Sequence, residues 1–271
     1  MSELPTETTT GPALFDAYGD SYRDAVQSSI AFAGANLDHF TEVKAEHVLD
    51  LCRRHLGDPS RQRVLDVGCG VGVTDRLLVD HLGDLHGVDV SSAEVARAAD
   101  DVPGATYQSY DGVRLPHPDG SFDLSFCINV IHHVPVAQWP SFVAELARVV
   151  RPGGLVAVFE HNRFNPLTRR AVAACEFDAD ATLVPRRRLR RLVQDAGLTP
   201  IESPYIVFLP FGGAAAFRVD RLLRAVPAGA QYYLAARRPR PLRPASRTPR
   251  SRTCRRAGSP SALRCAHRPP A

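Results

Sequence analysis

Lysine is all but missing from this chain of 271 residues: Lys44 stands alone beside 32 arginines. That bias belongs to the codons of a GC-rich genome and carries no chemistry. Acids are missing from residues 237–271, which hold eleven arginines, so the formal net charge of +4 conceals −7 over residues 1–236 (+4 minus 11). An acidic folded part argues against a nucleic-acid partner. No apolar run approaches the roughly 18–20 residues of a membrane span, and Met1 to Pro12 is polar, without the basic start and apolar centre of an export signal. The expectation is a cytoplasmic protein with no membrane partner. The six cysteines form no C-x-x-C pair and no histidine cluster shows metal-ligand spacing, so no metal site is expected. Cys69 and Cys127 read as small buried residues. No internal repeat is present.

What remains fits one α/β domain: 44% hydrophobic residues and enough length for a substantial core. Residues 1–12 are expected to be disordered, 13–236 to form the domain, and 237–271, rich in Arg, Pro and Ser, to be a disordered tail. Within the domain, 13–58 reads as a helical lid. It holds one or two short helices over Ala13–Ala35 and a clearer one from Leu37 to His55, with Leu37, Phe40, Val43, Val48, Leu51 and Cys52 inward and Gly57-Asp58-Pro59 as its stop. Residues 62–160 alternate strand and helix, which predicts a parallel, doubly wound sheet. Strands are expected near 63–67, 85–90, 105–110, 122–128 and 155–160, and helices over 73–82, 92–99 (capped by Ser91 with Glu94) and 140–150. Beyond them, helices are expected over 167–175, 187–196 and 214–225, with strands over 200–209 and 231–236. The five arginines at 186–188, 190 and 191 read as the solvated side of their helix.

The organising stretch is Val64-Leu65-Asp66-Val67-Gly68-Cys69-Gly70-Val71-Gly72-Val73. An apolar strand ends in an acid and a glycine turn, and a helix start follows. Backbone can approach a ligand closely there. A dinucleotide site usually spaces its glycines G-x-G-x-x-G; here they run G-x-G-x-G, with Asp66 two residues ahead. Asp89 ends the second strand, where a carboxylate can accept both ribose hydroxyls of a nucleoside. By itself it does not choose between nucleoside cofactors.

This stretch resembles the first motif of the class I S-adenosylmethionine (SAM)-dependent methyltransferases, of the small-molecule type found in ubiquinone and menaquinone biosynthesis. The run Tyr110-Asp111-Gly112-Val113-Arg114-Leu115-Pro116-His117-Pro118-Asp119-Gly120-Ser121-Phe122-Asp123 resembles a second family string, with His117 in place of the family's Phe. Asn129-Val130-Ile131-His132-His133-Val134 resembles its "LHH" segment, and Arg148-Val149-Val150-Arg151-Pro152-Gly153-Gly154 its turn into strand five. The resemblance implies a Rossmann-like seven-stranded sheet of order 3-2-1-4-5-7-6, the last strand antiparallel, under an N-terminal helical lid.

It implies SAM as cofactor, with Asp66, Gly68 and Gly70 at the methionine end, Asp89 on the ribose, Asp111 and Gly112 at the adenine, and the Asn129 backbone facing the methionine part. Tyr22, and Tyr18 on the same face, would belong to the lid. It implies methyl transfer to a small-molecule acceptor at O, N or C. His133 and His161 are the candidate general bases, near His132 and Glu160, because a ring of ordinary pKa near 6.5 suits neutral pH. The histidine pair shows no third metal ligand in the sequence. A SAM-binding subunit without transfer activity stays open as an alternative, and so, against the glycine spacing, does an NAD-dependent oxidoreductase. The sequence does not state an oligomeric state.

Overall fold

The computed structural model describes residues 37–175, 178, 181–211 and 213–241. The expectations for 1–12, for the helices within 13–35 with Tyr18 and Tyr22, and for the tail from 242 onward fall outside the described residues. Among the described residues no helix is long and apolar enough to cross a membrane.

Helix α1 spans Leu37–His55 and leads into strand β1, Arg63–Val67. Then come α2 (Asp75–Leu78), β2 (Asp84–Asp89), α3 (Ser92–Asp101), β3 (Thr106–Ser109), β4 (Phe122–Ile128), α4 (Trp139–Val149) and β5 (Val150–His161). The remainder holds α5 (Pro166–Ala174), α6 (Arg186–Asp195), β6 (Thr199–Glu202), β7 (Tyr205–Ile206), α7 (Ala214–Leu223) and β8 (Gln231–Arg237). The sheet runs β3-β2-β1-β4-β5-β8-β6, with β7 also paired to β8. Strands β1 to β5 are parallel, and β8 is antiparallel to its neighbours.

Helices cover both faces because the strands alternate between two cores. Along β5, Val156 and Val158 face the layer of α4 and α6, while Leu155, Ala157 and Phe159 face α1. Along β8, Leu234 and Ala236 join the first core, and Tyr233 and Ala235 the second. A period of two places successive side chains on opposite faces, so strands covered on both sides read as continuous apolar runs. Phe159 is fully buried, and truncation of such a ring to Ala costs about 3–5 kcal/mol.

Three expectations change. The strand expected over 200–209 is two strands, β6 and β7, which makes eight among the described residues while the expected order holds. Ser203-Pro204 separates them, and proline has no N–H to give the ladder. The helix expected over 73–82 contracts to α2, one turn within a run of turns. Its inward positions are Asp75 and Leu78, while Leu77 is exposed, because Asp75 is claimed by buried partners described below. Helix α1 is not simply amphipathic: His39, Thr41, Lys44 and His47 are buried along with its apolar residues. The segment before α7 and α7 itself cover its second face, through a contact of His39 Nε2 with the Leu209 carbonyl at 3.0 Å and the His47 ring 4.8 Å from that of Phe217.

Contacts continue past β8 to Arg238. The Arg237 guanidinium donates to the Gly153 carbonyl at 2.8 Å, and Arg238 donates to the carbonyls of Ala147, Arg148 and Val150 at 3.2, 2.9 and 2.6 Å. Together they satisfy backbone acceptors where α4 hands over to β5.

Candidate functional site

The carboxyl ends of the parallel strands open onto a cavity of about 480 Å³. Open α/β sheets place ligands at this edge because the strand order reverses there, between β1 and β4. Its floor is the turn after β1. Gly68 adopts φ +80°, and a Cβ added to it would lie 2.4 Å from Val130 Cγ2. Only glycine therefore lets the ends of β1 and β4 touch. Gly70, at φ +53°, is braced by its N–H, which donates to Asp89 Oδ2 at 2.9 Å. Asp89 Oδ1 also accepts from the Ser91 N–H at 3.0 Å. Its carboxylate thus holds the turn in shape as well as facing the cavity. Ser91 accepts from the Glu94 N–H at 3.2 Å, the expected helix cap.

Asp66, Gly68, Gly70, Asp89, Asp111, Gly112 and Asn129 all line this one cavity. Asp111 Oδ1 accepts from the N–H groups of Val113 and Arg114 at 2.8 and 2.9 Å, and these bonds hold its pKa below the usual carboxylate value. Asn129 follows β4 at φ +57°, a left-handed conformation that asparagine tolerates, and its N–H donates to the Phe159 carbonyl at 3.0 Å. Tyr22 lies outside the described residues. His133 lines the cavity and His161 does not.

Several lining residues carried no signal in the sequence. Lys44 reaches the cavity from α1, buried to 5% exposure. Burial lowers its pKa to about 8, against the opposing pull of Asp66 and Glu160. Beneath the turn, Asp66 and Asp75 bring two carboxyls within hydrogen-bonding reach, and the Tyr107 hydroxyl donates to Asp75 Oδ2 at 2.9 Å. Burial first, and then the neighbouring acids, raise Asp66 well above the usual value. Burial likewise raises Asp75, so the pair retains a shared proton. Asp75 lies on a turn whose apolar spacing gave no reason to look for a buried acid.

The histidines form a second group, of which His133 reaches the cavity wall. The His132 ring sits with Nδ1 2.8 Å from Glu160 Oε2 and Nε2 3.4 Å from Asp178 Oδ1. Burial favours its neutral form, yet the charges and hydrogen bonds of Glu160 and Asp178 prevail and raise it to about 10. Burial, and then the His132 charge, lower His133 to about 4 and His161 to about 3. The second carboxylate, Asp178, comes from a segment far along the chain, so no local spacing could reveal it. The expectation that adjacent histidines lack a common third partner is corrected: both reach Asp178.

These residues fit a cationic cofactor. Asp66, Asp89, Glu94 and Asp111 line the cavity, while among the described residues Lys44 is the one basic side chain on its wall besides His133. Asn129 Oδ1 is buried and has no hydrogen-bond partner among the described residues. Orphaned acceptors in a low-dielectric wall are costly unless a donor arrives. An ammonium supplies that donor and a sulfonium adds only positive charge beside the acids, whereas a pyrophosphate supplies neither.

Comparison with known proteins agrees. The family described as a methyltransferase domain matches residues 65–158. The chain is 37% identical over 109 residues to 2-methyl-6-phytyl-1,4-hydroquinone methyltransferase of Synechocystis, a match covering 39% of this chain and 34% of that protein's length. It is 31% identical over 185 residues to the ubiquinone biosynthesis O-methyltransferase of Sinorhizobium medicae, covering 63% of this chain and 71% of that protein. In fold it is similar to the crystal structure of magnesium protoporphyrin IX methyltransferase from Synechocystis with bound S-adenosylhomocysteine. The TM-score there is 0.59 at 17% identity, over 84% of this chain and 97% of the other. On the glycine turn, the acid-lined cavity and this relatedness, the chain belongs to the class I SAM-dependent methyltransferases.

Proposed function

We propose that the protein moves the methyl group of SAM to a hydroxyl oxygen of a small, largely apolar acceptor. The observation that carries this reading is the convergence of seven separately placed residues, from Asp66 to Asn129, on one cavity. Apolar side chains of Ile128, Val130, Val134, Pro135 and Phe142 form much of the remaining wall, with Gln138 and His133 as polar points. Such a wall suits a ring or chain carrying few polar groups. Oxygen is chosen because the Sinorhizobium relative, aligned over 71% of its length, is an O-methyltransferase by name.

When bound, SAM supplies a methyl carbon on a sulfonium that leaves as a neutral thioether. The chain's own part is to bind, orient and dry the reactants. Asp66 would receive the methionine ammonium, and Asp89 and Asp111 would hold the nucleoside. The apolar wall excludes water and holds the acceptor in line, which can supply much of the barrier reduction. Of the two histidines considered as bases, only His133 lines the cavity, so it is the one that would take the proton the acceptor's hydroxyl gives up.

The test is binding followed by transfer. SAM at 100 times its Kd should stabilise the fold by about 2.7 kcal/mol, a rise of roughly 5–10 °C in melting temperature for a domain of this size. NAD at equal concentration should give none. Labelled methyl should then appear in a small product from a metabolite extract. Equal shifts from SAM and NAD, or no labelled product from any extract, would overturn the proposal.

A further inference from the structure

Adjacent residues on an extended chain point apart. The tight turn over Ile131–His133 instead stacks the two imidazoles with their centres 4.1 Å apart. It also aims both at one oxygen, Asp178 Oδ1 lying 3.4 Å from His132 Nε2 and 3.6 Å from His133 Nε2. All three potential ligand atoms fall within 4.8 Å of one another. We propose that His132, His133 and Asp178 form a binding site for a divalent transition-metal ion at the acceptor side of the cavity.

The geometry is close to what such an ion needs. Ligands about 2.1 Å from a tetrahedral centre stand roughly 3.4 Å from each other, so the observed separations require only small shifts. Two imidazoles and one carboxylate suit Zn²⁺, Co²⁺, Mn²⁺ or Fe²⁺ and leave coordination positions for another ligand. Glu160 Oε2, 2.8 Å from His132 Nδ1, completes the carboxylate–histidine arrangement that fixes a ligating ring's orientation and tautomer. An ion pair alone accounts for one ring between Glu160 and Asp178. It does not account for a second ring brought to the same oxygen. Two buried or half-buried carboxylates also match the charge of one dication. Asp178 is held in place by its own N–H, which donates to the Cys175 carbonyl at 3.1 Å.

Because His133 also lines the cavity, an ion here lies where an acceptor's oxygen would approach. That consequence rests on the methyl-transfer reading; the binding site itself does not.

Co²⁺ is the probe, since its visible spectrum reports ligand type. The full-length chain, stripped with chelator, should take up one equivalent, with no intense thiolate charge-transfer band. Asp178→Asn and His133→Ala should each bind at least tenfold more weakly, and Glu160→Gln about 10- to 100-fold more weakly. Circular dichroism confirms that the variants fold, and the wild-type titration stands without them. Absence of saturable binding, a thiolate spectrum, or undiminished affinity in Asp178→Asn and His133→Ala would overturn the site. SAM binding is measured on the same stripped protein. If SAM binds and Co²⁺ does not, only the metal site falls. If Co²⁺ binds and SAM does not, the site stands and the methyl-transfer reading falls.

Discussion

Replacing Asp75 by Asn should stabilise this protein in alkaline solution, although the residue is wholly buried. In the folded state burial keeps a proton on the Asp66–Asp75 pair, with Asp75 raised from 3.8 to about 7. The unfolded chain loses that proton near its ordinary value. Between those values the folded state binds more protons than the unfolded state, so stability falls as pH rises, by about 1.4 kcal/mol per unit. Across roughly three units the loss is on the order of 4 kcal/mol. For Asp75 it sets in above about pH 4 and runs to its folded value near 7. Asparagine is the neutral isostere: its Nδ2 can donate to Asp66 while its Oδ1 accepts from Tyr107. The variant should therefore gain on the wild type steadily from pH 5 to 7, ending more stable by about 2–4 kcal/mol at pH 8. Urea unfolding at each pH, followed by the single tryptophan, Trp139, which is buried in the core, measures the difference. A variant less stable than wild type at pH 8, or a difference that does not change with pH, would refute the shared-proton argument.

Gly70→Val should abolish the SAM-dependent rise in melting temperature, because a β-branched residue at φ +53° strains the turn by about 1–3 kcal/mol and puts methyl groups beside the cofactor. Undiminished SAM affinity by calorimetry would show that the turn is not its seat. A chain ending at Arg240 should keep its melting temperature and SAM binding. One ending at Ala236 should lose about 3 kcal/mol or more, as the charged hydrogen bonds of Arg237 and Arg238 disappear; equal melting temperatures for the two would show that these contacts are dispensable.

The sheet was legible because its information is local. Strands β1, β4 and β8 announce themselves by apolar runs, and the Gly68–Gly72 turn by residues that only a special backbone requires. Asp89, Asp111 and Asn129 follow from their places at strand ends, and all three reach the cavity. Lys44, Asp75 and Asp178 were not legible, because each acquires its role from a partner distant in sequence. Lys44 lies off the apolar positions of its helix, and nothing local says that α7 and its approach will cover that side. Asp75 rotated α2 away from its apolar periodicity because a buried acid next to Asp66 and Tyr107 outweighs one leucine. Asp178 follows α5 in a stretch without periodicity, so only folding could bring it to the histidines. The divided strand at Ser203-Pro204 was legible in principle, since proline within a strand is a warning in itself.

The burial of Lys44 has a practical consequence. It is the chain's only lysine side chain, it lies in the wall of the cavity, and with its pKa near 8 about half of it is unprotonated in mildly alkaline buffer. The exterior of the folded domain thus offers amine-directed reagents no lysine at all. Reductive methylation or acylation would slow when the cavity is filled, so labelling of Lys44, read by mass spectrometry, gauges occupancy without any added reporter.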